Sequence, residues 1–240
     1  MPFDMVLLLT TIALGAVLQV GIGIGFSIVV GPLLFLQLGT ETAVPLLLLL
    51  NAVVSAVATP GSLKRGGHRL FVLAVVGSVV GIGLGILIYP QLTEAMVLAI
   101  AGALLVTGAL TSLIPPSAAG RRALLPVSGL SGLATVWAAT PGPLMALGLL
   151  QSGQPVSEVR KLVQPIALIG YSVALALHAS ASWQDITAKP YLTNFLIVTV
   201  IGSLIGRKIG PALPAPLIAS GIRGLSFLAG LILLYRAAMI

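Results

Sequence analysis

Cysteine is absent from the 240 residues, and Asp, Glu, Lys and Arg together make up only 7% of them. No cysteine means no disulfide, no thiolate nucleophile and no thiolate metal site, and it leaves the redox compartment unread. An ordinary soluble domain carries about 25% charged residues, so this chain cannot cover a water-facing surface. Aromatic residues are sparse at 5% and there are two histidines. Nothing here assembles a metal site or a dinucleotide fingerprint, so no cofactor and no metal are expected. What remains is apolar: 58% of the residues are hydrophobic and the mean hydropathy is +1.16. Runs this long and numerous need lipid as their solvent, and the bilayer is the first partner expected. The formal charge of +7 is not a nucleic-acid signature, because the basic residues lie between apolar segments and form no basic face interleaved with aromatics. The opening Met1-Pro2-Phe3-Asp4 lacks a positive n-region, so no cleavable signal peptide is expected.

Hydropathy and helix breakers divide the chain into eight apolar blocks. The first, 6–38, would be about 50 Å long as one helix, too long for a hydrocarbon core of about 30 Å. It is interrupted at Gly21-Ile22-Gly23-Ile24-Gly25 and is read as two helical legs around a glycine tip. Ordinary spans follow at 43–59, 70–89 and 94–113. The fifth block, 123–150, repeats the anomaly at Thr140-Pro141-Gly142-Pro143, where two prolines remove backbone donors and forbid a continuous helix. Spans at 156–178, 191–209 and 216–235 complete the chain.

The halves look like copies. Gly31-Pro32-Leu33-Leu34 follows the first break, and Gly142-Pro143-Leu144-Met145 forms part of the second. Gly77, Gly81 and Gly85 in the third span of the first half match Gly202, Gly206 and Gly210 in the second. Glycines spaced by four line one helix face and admit a close neighbour; paired stripes at equivalent places point to internal duplication. The division expected is a first transmembrane repeat over 1–114, a cytoplasmic linker over 115–122 and a second repeat over 123–240.

Charge selects the topology. If both broken blocks simply cross, Arg160, Lys161, Arg207, Lys208 and Arg223 oppose the other seven basic residues, and there is no bias. If both are hairpins that return to the side they entered, those five join Lys64, Arg65, Arg69, Arg121 and Arg122, and only Lys189 and Arg236 remain opposite. That second distribution obeys the positive-inside rule. Each half then makes three crossings plus one hairpin, and an odd number of crossings inverts the second half. The fold class expected is an all-α integral membrane protein of two inverted repeats, each a re-entrant or broken helical hairpin plus three transmembrane helices. Both termini fall on the extracytoplasmic side.

Irregular backbone at membrane depth is tolerated only inside protein or along a cavity. One hairpin enters from each face, so both tips are expected at the midplane. The second leg of each starts with free N–H groups, near Phe26–Ser27 and near Leu144, and helix N-termini bind anions. All seventeen charged residues are read as lying in loops or near segment ends. The candidate substrate-binding residues are therefore Gly23, Gly25, Phe26 and Ser27 at the first tip, Thr140, Gly142 and Leu144 at the second, and the interior amides Asn51 and Gln164. For the amides and for Gln19 the competing reading is a helix–helix hydrogen bond. His178 is read as interfacial.

At the two breaks the sequence resembles the TauE/SafE family of sulfite exporters. The resemblance rests on Gly15, Gly21-Ile22-Gly23-Ile24-Gly25 and Pro32-Leu33-Leu34 in the first half. In the second it rests on Gly129-Leu130-Ser131-Gly132-Leu133 and Thr140-Pro141-Gly142-Pro143-Leu144. It implies a plasma-membrane carrier of sulfite or a small organosulfonate such as sulfoacetate, working by alternating access and assembling as a homodimer. Ile24 stands where another glycine is expected, and Thr140-Pro141 replaces a smaller pair; both touch the expected site and leave the substrate open. The competing class is an intramembrane lipid-processing enzyme such as a polyprenyl-pyrophosphate phosphatase. That chemistry needs carboxylates and an arginine at a buried site, and none is expected here. No catalytic residue is assigned.

Overall fold

The computed structural model describes residues 4–23, 25–59, 68–111, 120, 123–187 and 189–240, with backbone only at 111, 179–186, 215 and 217. Ile24, Lys64, Arg65, Arg121, Arg122 and all of the expected linker except Gly120 lie outside the described residues. Within them the chain is helical throughout: α1 Met5–Ile22, α2 Phe26–Leu38, α3 Thr40–Ala58, α4 His68–Ile88, α5 Glu94–Thr111, α6 Leu124–Ala138, α7 Gly142–Gln151, α8 Val156–Thr187, α9 Leu192–Ile209 and α10 Ala215–Ala238. Short 3-10 turns at Tyr89–Gln91 and Gly210–Ala212 follow α4 and α9. Each carries a proline, which ends the preceding helix by removing a backbone donor.

Among the described residues six helices are long and apolar enough to cross a membrane: Met5–Ile22, Thr40–Ala58, His68–Gln91, Val156–His178, Leu192–Ala212 and Ile218–Ala238. This set includes α1 because the first break falls late in its block, leaving 18 residues in α1, about 27 Å of helix, and 13 in α2. α5, Glu94–Thr111, has the same 18 residues. Large apolar side chains such as Val76, Val80, Leu84 and Leu87 on α4 stand exposed, as a lipid-facing stripe requires.

Both broken blocks fold back on themselves. A Cβ on Gly15 of α1 would lie 2.7 Å from Val30 Cγ2 of α2, and one on Gly148 of α7 would lie 2.9 Å from Val127 Cγ1 of α6. Gly120 N–H donates to Gln151 O at 3.1 Å, so the chain leaves the second hairpin beside where it entered. Leu70, Leu124, Leu149, Val159 and Leu162 form one cluster, which gathers the starts of α4, α6 and α8 with the end of α7. The described basic residues Arg69, Arg160 and Lys161 flank that same end.

The glycine stripes pack reciprocally. Gly77 and Gly81 of α4 face the backbone of α6 at Leu125 and Gly129, whereas Gly202, Gly206 and Gly210 of α9 face α1 at Ala13, Val17 and Gly21. Each stripe thus holds the first hairpin leg of the other half. α3 pairs with α8 and α5 with α10; the latter contact is drawn tight where Gly102 and Gly230 meet. His178 is the last residue of the span Val156–His178, where it was expected. Its ring is buried against protein, bonded to Val136 O at 3.2 Å and edge-on to Tyr89.

Candidate functional site

The first tip is shaped by two glycines with positive φ, Gly23 at 92° and Gly25 at 129°, a region that costs a side chain dearly. Gln19 bridges the break. Its backbone carbonyl accepts the Gly23 N–H at 2.8 Å, and its side-chain Oε1 accepts the Phe26 N–H at 3.1 Å. The Phe26 donor expected to be free is therefore capped from within the hairpin, because a buried amide takes the nearest acceptor. Gly21 abuts Gly210, next to the Arg207–Lys208 end of α9. The length of α1 thus carries the first tip toward the basic end of the bundle, not to its centre.

The second tip turns on Ala139, whose φ of 52° is left-handed without being glycine. Its N–H bonds Thr135 O at 2.9 Å, and that of Thr140 bonds Ala134 O at 3.3 Å. Ser131 Oγ ties down Pro141 O at 2.9 Å. The first bonded amide of α7 is that of Met145, to Pro141 O. Pro143 has no N–H, so the amides of Gly142 and Leu144 are left over at the helix start. Thr140 is 4% exposed and its Oγ1 has no partner among the described residues.

The tips touch. Ser27 Oγ lies 2.7 Å from Ala139 O and 3.1 Å from Asn51 Oδ1. One hydroxyl carries one proton, so Ser27 donates to one of these acceptors at a time. Asn51 Nδ2 donates to Leu47 O at 2.8 Å. Gln164 bonds elsewhere, its Oε1 accepting from Ser55 Oγ at 3.2 Å across the α3–α8 contact, while its Nε2 has no partner among the described residues.

A cavity of about 330 Å³ opens between the tips and is lined by Gln19, Gly23, Gly25, Ser27, Thr140 and Gly142. Tyr171 of α8 and Ser226 of α10 add hydroxyl-bearing walls, although Ser226 Oγ is bonded to Leu105 O at 2.9 Å. Of the nine expected residues, Gly23, Gly25, Ser27, Thr140 and Gly142 reach this cavity. Phe26, Asn51, Leu144 and Gln164 do not line it. Asn51 lies behind Ser27, and Gln164 serves the helix–helix bond that was its competing reading.

Two arginines stand at the site without being among its expected residues. Arg160 and Arg223 both line the cavity, and Arg223 stands more than two turns inside α10. This corrects the expectation that every charge lies in a loop or at a segment end. The signal was there: the expected span 216–235 already encloses Arg223, and Pro214 and Pro216 mark its start, since proline favours the first helical turn. The cavity lining contains no carboxylate. The ion pair described elsewhere is Lys161 with Glu158 at 2.7 Å. Among the described residues no cluster of three or more His, Asp or Glu side chains is placed to hold a metal.

A bundle of membrane-length apolar helices around a polar cavity at paired helix breaks defines a polytopic membrane protein of transporter type. The family model described as Sulfite exporter TauE/SafE matches residues 7–233, and the chain belongs to that family. It is a multi-pass membrane transporter, and its family is one of transporters, not enzymes. No curated protein and no solved structure matches the chain.

Proposed function

We propose that the protein moves a small oxyanion, sulfite or an organosulfonate such as sulfoacetate, across the plasma membrane by alternating access. The observation that carries this reading is the cavity at the meeting of both hairpins, which holds Arg160 and Arg223 and no carboxylate. Guanidinium forks match oxyanions bidentately. Thr140 Oγ1 and the leftover amide of Gly142 supply neutral donors at the second tip. The bound anion sits against that tip, with Arg223 opposite and Arg160 at the mouth. The end of the bundle bearing Arg160 is the cytoplasmic end by the positive-inside rule.

The reciprocal packing of the two stripes supports inverted repeats over 1–114 and 123–240, with both hairpins re-entrant and both termini extracytoplasmic. Movement of one hairpin bundle against the other then alternates access around the tips. Cysteines introduced at Arg121 and at Gln154 are expected to label from the same membrane face, with no native cysteine to interfere. Labelling from opposite faces would remove the hairpin topology.

The substrate is tested by thermal melting of the purified protein against sulfite, sulfoacetate, taurine, sulfate, chloride and small carboxylates. A ligand at 100 times its dissociation constant stabilises by about 2.7 kcal/mol. A selective upward shift with sulfite or sulfoacetate, followed by flux of that anion into proteoliposomes, is the expected result. A cooperative melt that no anion moves would overturn the oxyanion assignment.

A further inference from the structure

A second cavity, of about 470 Å³, lies beside the first, among the end of α1 at Val20 and Gly21, the end of α3 at Val57 and Ala58, and the α9 corner from Gly206 to Leu213. Its charged lining residues are Arg160 and Arg207. Arg207 belongs to the last turn of α9, where a cation complements the helix dipole. Arg160 is common to both cavities. Its Cγ lies 3.8 Å from where a Cβ on Gly23 would be, so its stem rests over the first tip. Neither cavity has a carboxylate in its lining, and the neighbouring Glu158 is held by Lys161. Both arginines therefore line open volume without a carboxylate partner among the described residues.

Resting on the oxyanion-transport reading above, we propose that this second cavity is an antechamber. Arg207 and Arg160 capture the oxyanion on the basic face, and Arg160, shared by both volumes, passes it across the first tip to Arg223. A cleft of one charge sign raises the local anion concentration and the rate of entry, an effect that falls with ionic strength. Arg207 does not line the first cavity, so its contribution is to capture, not to the final site.

The same guanidinium pair would also suit the phosphate of an acidic phospholipid, and the test separates the two sources. Wild type, Arg207→Gln and Arg207→Lys are reconstituted in pure phosphatidylcholine and in phosphatidylcholine with phosphatidylglycerol. Sulfite or sulfoacetate is applied to the face where a cysteine at Gln154 labels. Arg207→Gln is expected to raise the half-saturating concentration about fivefold at low salt in both lipids, with the maximal rate unchanged. The gap should narrow as salt is raised, and Arg207→Lys should recover most of the loss. An unchanged half-saturating concentration in a wild type that transports would overturn the antechamber alone. An Arg207 effect confined to the acidic-lipid vesicles would overturn it too, by assigning the pair to a lipid headgroup. No flux of either anion by wild type would instead remove the transport reading and the antechamber with it.

Discussion

Arg223→Gln is expected to weaken oxyanion binding about thirtyfold while leaving the ligand-free melt close to that of wild type. A hydrogen bond to a charged group is worth roughly 1.5–3 kcal/mol, and about 2 kcal/mol converts to that ratio at 1.4 kcal/mol per decade. Arg223 is part-exposed and lines the main cavity. It has no carboxylate partner among the described residues, so its removal strands no buried counter-charge. Arg223→Lys keeps the charge and loses the planar fork, and should fall between the two. The measurement is the anion concentration giving half the maximal thermal shift, together with flux in proteoliposomes. Unaltered binding by Arg223→Gln would take Arg223 out of the site and leave the second hairpin tip and Arg160 as its donors.

The second large effect is on stability. Gly81→Ala and Gly206→Ala are each expected to cost about 2–3 kcal/mol. A Cβ on Gly81 collides with the carbonyl of Gly129, and one on Gly206 with the carbonyl of Val17. The obstruction is backbone, which cannot rotate away, so the paired helices must separate and loosen the contacts along the whole seam. Overpacking of this kind typically costs 1–3 kcal/mol, and the better helix propensity of alanine, up to about 1 kcal/mol, offsets only part. Gly83 on the same helix is the control, because a Cβ there meets nothing within 4 Å. Gly83→Ala should be neutral or mildly stabilising. Equal melts for Gly81→Ala and Gly83→Ala would show that the α4–α6 seam is looser than its geometry implies. Both stripes should respond alike if each half holds the hairpin of the other.

Much of this architecture is written in local signals. Glycine and proline announce a break wherever they fall, so the two hairpins are legible at Gly21–Gly25 and at Thr140–Pro143. Spacing by four exposes both glycine stripes. Charge counted by side favours hairpins over straight crossings, and the Gly120–Gln151 hydrogen bond brings the two ends of the second one together. The glycine–proline pattern also pointed to the family that the match over residues 7–233 establishes.

The candidate site was less legible, and particular atoms show why. A run of residues tells that Phe26 opens a helix, but not that Gln19 Oε1 sits 3.1 Å from its amide. In the sequence Asn51 and Gln164 are alike as interior amides. In three dimensions Asn51 supports Ser27 and Gln164 bonds Ser55. Arg223 was misplaced although the expected span 216–235 already enclosed it, because a charge inside an apolar span was read as belonging to its end.

By itself the sequence determined the solvent, the number and kind of apolar segments, the places where helices must break and the small faces on which they must pack. Each of these follows from interactions within a few residues or from transfer to lipid. The tertiary structure alone decided that each stripe grips the opposite half, that the tips meet at Ser27 and Ala139, 112 residues apart, and that Arg160 is shared by two cavities. Such choices depend on how rigid helices cross, and a crossing is set by side-chain contact between distant segments that no local pattern encodes.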